Sequence, residues 1–153
     1  MFSMKYAIWS LMAGVLIPVM GMLNARLGRH FGEPLHAPVI LFCVGLVFVL
    51  LCSVLLTRSL PDLSLLTQSE PLTYLGGVIV AFYVISATFL APRFGVANFI
   101  MFAVASQIIG SVLIDHFGLF GATVRPVNML RVTGILILLS GLFITQLANA
   151  KSS

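Results

Sequence analysis

Few side chains in this sequence can do chemistry, and most of those stand inside or at the edges of apolar runs. Gln107 is the clearest, near the middle of the run Val96 to Ile114. A primary amide brings N–H donors and a carbonyl acceptor. Stranding it in hydrocarbon is costly, so it must face a neighbouring helix or a polar solute. Ala103, Gly110 and Ser111 share its face by helical spacing. That small-residue face admits a second helix at close range. Two readings stay open: a hydrogen bond that glues helices together, and a contact to cargo.

Asn24 poses the same question at the end of the run Tyr6 to Leu23, after Ser10, Gly14, Pro18 and Gly21. Pro18 removes a backbone hydrogen bond and frees a carbonyl, which often kinks a helix. A kinked helix with a small-residue stripe suits a moving transporter, although static membrane helices also tolerate proline. Tyr83 and Ser86 share one face of a third run, with Phe82 beside them, and Phe99 and Phe102 open the fourth. Aromatic faces bind lipophilic or cationic solutes, and they equally serve packing or face lipid. Asp115-His116 closes the fourth run. An acid beside a histidine is a candidate proton relay or gate. The pair could equally cap the helix end or bind Arg125. No acid sits deep in any run, so proton antiport through one buried carboxylate is not expected.

Other chemistries lack their residues. Cys43 and Cys52 are nine apart and point in different directions on a helix, which gives neither a disulfide framework nor a metal motif. His30, His36 and His116 all fall near run ends, so haem ligation across a bundle is not expected. There is no His-Glu-x-x-His, no Gly-x-Ser-x-Gly and no phosphate-cradling loop. We therefore expect no enzyme, no cofactor and no metal.

The elements that must position these residues are long and apolar. The runs are Tyr6–Leu23, Ala37–Thr57, Tyr74–Ala91, Val96–Ile114 and Val132–Ala150, each 18 to 21 residues long and free of Asp, Glu, Lys and Arg. At about 1.5 Å per residue each spans roughly 27–32 Å, one hydrocarbon core. Extended to their turn signals, the spans are expected near 6–29, 35–57, 72–91, 95–116 and 129–149. Apolar residues are 60% of the 153 and charged ones 8%. So few charges cannot coat a water-exposed fold, but suffice where lipid covers most of it. The fold expected is an all-α integral membrane bundle of five transmembrane helices, one domain over 1–153. Leu23-Asn24-Ala25 makes a poor signal-peptide cleavage site, so the first helix is expected to stay.

Turn signals separate the runs. Gly32-Glu33-Pro34 ends the first helix and opens the second, Leu60-Pro61-Asp62 and Ser69-Glu70-Pro71 bound the next connector, and Pro92-Arg93-Phe94-Gly95 reads as a tight turn. Gly118 and Gly121 follow the fourth helix, and Asn128 is a candidate N-cap for the fifth. In that fifth run Thr133-Gly134 and Ser140-Gly141 are seven apart. The spacing keeps Gly134 and Gly141 on one seam, for packing against a partner chain or within the same chain.

Five spans place the termini on opposite sides. One side then carries Lys5, Arg58, Arg125 and Arg131, and the other Arg26, Arg29, Arg93 and Lys151, four against four. Lys/Arg excess normally sets orientation. Balance leaves either the early pair Arg26 and Arg29 to decide, or dual topology, with copies inserted both ways and pairing antiparallel. The basic residues are scattered singly, which leaves no nucleic-acid footprint.

Several strings together resemble a known family: Asn24-Ala25-Arg26-Leu27-Gly28, Ala91-Pro92-Arg93-Phe94-Gly95-Val96-Ala97, Ser106-Gln107, and above all Asp115-His116-Phe117-Gly118-Leu119-Phe120-Gly121 with Arg125-Pro126. The chain resembles the YdcZ-like family of inner-membrane exporters, within the drug/metabolite transporter superfamily, over nearly its whole length. Members often carry Gln four residues before the first-span Asn, where this chain has Met20. The resemblance implies a bacterial inner membrane, five helices per chain, and two inverted five-helix units pairing as larger members do within one ten-helix chain. The expected function is a small-solute exporter working by alternating access as a dimer. Its expected partners are the lipid bilayer, an unidentified small-molecule substrate, and an antiparallel second copy or a homologous subunit. The alternative is a non-transporting assembly or regulatory subunit, which would bind or move no solute.

Overall fold

The structure, a computed structural model, describes residues 4–151; Phe2, Ser3, Ser152 and Ser153 lie outside them. Among the described residues, five helices are long and apolar enough to cross a membrane. The chain divides into two compact units between Val96 and Ala97.

In the first unit, α1 runs Met4–Phe31, 28 residues with Pro18 inside. At 1.5 Å per residue it is about 42 Å long, against about 30 Å of hydrocarbon. The surplus is the polar-flanked segment past Leu23, which carries Arg26 and Arg29. Gly32 stops the helix with a positive φ of 70°, where a side chain would be strained. α2 covers His36–Thr57 and is apolar all round. It ends at Arg58, which takes the left-handed conformation and donates its N–H to the Val54 carbonyl at 3.0 Å.

The connector to α3 holds two short 3-10 turns, Leu63–Gln68 and Pro71–Tyr74. Asp62 caps the first by accepting from the Ser64 hydroxyl at 2.7 Å and its N–H at 2.9 Å. Those bonds, the side-chain one foremost, hold its carboxyl below the usual carboxylate range.

α3 covers Leu75–Phe94. The tight turn expected over Pro92–Gly95 is a correction: the helix continues through Pro92, and the break falls on Gly95 at φ 93°. Pro92 has no N–H for the Thr88 carbonyl, but its fixed φ is helical and its position near the end limits the damage to one bond. The break itself takes a positive φ, which Gly95 alone of the four can adopt freely.

Small residues bring these helices together. The buried positions are Gly21, Asn24, Ala25 and Gly28 on α1, Ala37 and Pro38 on α2, and Val84, Ala87, Thr88 and Ala91 on α3. On α1 and α3 they recur at three- and four-residue spacing, and the α1 stripe meets α2 near Gly28 and α3 at Asn24. A Cβ added at Gly28 would lie 3.1 Å from the Pro34 Cα, so the first turn of the hairpin depends on its absence. Beyond these stripes the apolar surface is open: Trp9 is 79% exposed and Leu56 82%. Water could not tolerate such a surface; lipid or a further helix must cover it.

The second unit holds α4, Val96–Phe117, from Ala97 onward, and α5, Met129–Lys151. Asn128 caps α5 as expected, accepting the Arg131 N–H on Oδ1 at 2.8 Å. Gly118 and Gly121 take positive φ values of 62° and 79° in the connector, and Phe120 follows at 57°.

Candidate functional site

Several hydroxyls inside the helices bond their own preceding turn. Ser10 bonds the Tyr6 carbonyl, Ser106 those of Phe102 and Ala103, Ser111 that of Ile108, and Ser140 that of Leu136. This return to the preceding turn needs no tertiary partner. The site question turns first on the two amides singled out in the apolar runs, Asn24 and Gln107.

Asn24 is 4% exposed and Thr88 2%. The Asn24 Nδ2 donates to the Thr88 Oγ1 at 2.5 Å, joining α1 to α3. Thr88 passes its own proton to the Val84 carbonyl at 2.8 Å. The hydroxyl is thus used as donor and acceptor, while the Asn24 Oδ1 stays buried without a partner among the described residues. An unpaired buried acceptor costs about 1–3 kcal/mol. It persists at a place where a donor can arrive.

Two clefts flank this pair. One, about 460 Å³, lies between α1 and α3; Thr88 forms part of its wall, with Ala25, Gly28, Phe89 and Pro92, and Arg29 and Arg93 also line it. The other, about 750 Å³, lies between α1 and α2 and is mostly apolar, with Met20, Leu23, Ile40 and Val44 on its walls beside Asn24, Arg26 and His30. Met20 is thus a cleft residue.

Tyr83 and Ser86 are half-exposed on α3. The contact to Asn24 is made by Thr88, two residues beyond Ser86. Sequence reasoning missed Thr88. The available signal was its place in the small-residue series Val84, Ala87, Thr88, Ala91. It also missed Gln146, whose Nε2 is buried without a partner among the described residues, although the rule that singled out Gln107 applies equally to it.

In the second unit Gln107 is exposed and has no hydrogen-bond partner among the described residues. Gly134 and Gly141 are exposed too, and an added Cβ at either would meet nothing within 4 Å. Their seam is open to a neighbour. Asp115 and His116 hold the α4–α5 connector. Of the readings left open for Asp115, an ion pair with Arg125 is not what forms: the side-chain partner is Arg131, at 2.6 Å, and Arg125 donates its backbone N–H to the Asp115 carbonyl at 2.8 Å. The reason is the connector's path. Left-handed residues at Gly118, Phe120 and Gly121 fold it back, so main chain meets main chain and the first turn of α5 brings Arg131 to the carboxylate. His116 accepts the Val127 N–H on Nδ1 at 3.2 Å, which requires that nitrogen to be unprotonated.

Five helices long and apolar enough to cross a membrane, with a buried amide beside open clefts in the first unit, define a multi-pass membrane protein. A family model described as "Putative inner membrane exporter, YdcZ" matches residues 5–144. The chain belongs to that family. No curated protein and no solved structure matches it.

Proposed function

We propose that this chain exports a small solute across a bacterial inner membrane by alternating access, as an antiparallel pair of chains of the drug/metabolite transporter type. The observation that carries it is the buried Asn24–Thr88 pair with its unmatched Oδ1, set between two clefts in a chain of exporter kin. A polar group this costly inside a membrane protein is a functional candidate by default. Five helices make a thin wall for a solute path, whereas ten in inverted halves enclose a midplane site that rocking exposes to either side. The open seam of Gly134 and Gly141 and the equal basic count on the two faces support an inverted partner. Tyr83 and Ser86 on α3, and separately Gln107 on α4, are proposed as further solute contacts, and Asp115 and His116 are proposed to govern a gate through the connector they hold.

The experiment is solute movement in proteoliposomes made from the purified full chain. A panel of amines, sugars, amino acids, organic acids and lipophilic cations is loaded and its loss followed. At least one should leave faster than from empty vesicles, and Asn24→Leu should abolish that difference while assembly persists. No accelerated loss of any solute would favour the assembly-subunit alternative.

A further inference from the structure

The cleft between α1 and α3 carries a surplus of positive charge. Both helices end at it: Arg29 lies in the last turn of α1 and Arg93 in that of α3, and both line the cleft. A helix C-terminus carries roughly half a negative charge. Two guanidinium groups against about one unit of dipole charge leave about one positive charge over. No acid removes it. Asp115 is taken by Arg131. Asp62 and Glu70 precede α3, at the end opposite Arg93. Glu33 sits between the lining residues Gly32 and Pro34, but it is exposed and among the described residues pairs with neither arginine.

The walls suit a flat or branched apolar body. Ala25, Gly28 and Pro92 are small or rigid, and Phe89 adds a ring. The Arg93 guanidinium carbon lies 5.7 Å from the centre of that ring. Such stacking orients the fork while leaving its N–H groups for an oxygen ligand. A volume of about 460 Å³ is that of a small-molecule site.

Resting on the export reading, we propose that this cleft binds organic anions: a carboxylate or phosphate held between Arg29 and Arg93, on an apolar body against Phe89 and Pro92. The same chemistry belongs to a free amphiphilic acid and to an anionic lipid headgroup.

The test uses the full chain in phosphatidylcholine nanodiscs, with 2-naphthoate as probe and the uncharged 2-naphthalenemethanol as control. Naphthoate should bind saturably, and Arg29→Gln or Arg93→Gln should weaken it about tenfold or more. Arg93→Lys should lose less, and Arg58→Gln, in the α2–α3 connector, should lose nothing. The arginines are exposed, so their variants should keep the parent's circular dichroism and elution. Phosphatidylglycerol discs separate the two sources. A drop in naphthoate affinity for the parent but not for Arg93→Gln would identify a lipid headgroup as occupant, and unchanged affinity a free acid. Equal affinity in parent and glutamine variants, or equal binding of the alcohol, would overturn the proposal. Solute export by a protein that fails to bind naphthoate would end the anion assignment alone. Naphthoate binding without export of any solute would end the export reading alone.

Discussion

Arg131 Nη2 donates to Asp115 Oδ2 at 2.6 Å and so ties the first turn of α5 to the last turn of α4. Both side chains keep about a third of their surface, 30% and 33%, so solvent screens the pair and its coupling should be about 0.2–1 kcal/mol. Unfolding of Asp115→Asn, Arg131→Gln and the double variant in detergent should return a coupling in that range. Exchanging the charges, Asp115→Arg with Arg131→Asp, should recover part of the loss. Strict additivity would mean that the backbone bond from Arg125 holds the connector alone.

The Asn24–Thr88 bond is enclosed, so its loss should be felt more. Thr88→Val keeps the shape and removes the hydroxyl, leaving both ends of the Asn24 amide unpaired. Membrane hydrogen bonds average about 0.6 kcal/mol and reach about 1.7, and burial puts this one toward the upper end. Thr88→Ser should cost little. Equal losses for the two variants would assign the effect to the missing methyl rather than to the bond.

Two glycines should resist substitution for different reasons. At Gly28 an added Cβ meets backbone, the Pro34 Cα, at 3.1 Å, so Gly28→Val should open the α1–α2 hairpin at about 1–3 kcal/mol. At Gly118 the φ of 62° is itself strained for a side chain, about 1–2 kcal/mol. There an added Cβ also lies 2.7 Å from the Val124 Cγ2. Val124→Ala should therefore rescue Gly118→Ala in part, by removing the clash and leaving the strain. Full rescue would show that the backbone tolerates the conformation.

Gln107 separates assembly from transport. As helix glue, its replacement by Leu should loosen self-association by about 0.6–1.7 kcal/mol. As a solute contact, it should leave association intact and lower export. Association is read by dilution in detergent and export in proteoliposomes. If neither changes, Gln107 leaves the site.

Orientation should be poised. Lysines at Ser152 and Ser153 should draw the C-terminus toward the cytoplasm, and lysines at Phe2 and Ser3 the N-terminus, because added charge tips a balanced topology. Each biased chain alone should lose export, and coexpression should restore it. A C-terminal reporter that reads one side only in the unmodified protein would exclude dual insertion.

The five helices were legible because a water-exposed fold seldom holds even one charge-free run of membrane length, and this chain holds five. Asn128 likewise announced the start of α5. Pro92 misled because proline marks a turn in most contexts, yet its ring is compatible with a helix about to end. Asn24 was legible as an amide in an apolar setting. Its partner was not, since a threonine in a helix ordinarily bonds its own preceding turn, and Thr88 does that as well. Arg131 was hidden for a further reason: the partner of Asp115 depends on three left-handed residues in the connector, and one of them, Phe120, has no sequence signature for that conformation.

The length of α1 carries a consequence for the surrounding lipid. Its charge-free run, Tyr6 to Leu23, covers about 27 Å, while the neighbouring α2, of 22 residues, covers about 33 Å. Neighbouring helices in one unit thus ask for bilayers of unequal thickness. A thicker membrane draws Asn24 and Arg26 toward hydrocarbon, and a thinner one leaves the ends of α2 wet. Acyl-chain length should therefore set how deeply the Asn24–Thr88 pair sits, and with it how readily water reaches the orphaned oxygen.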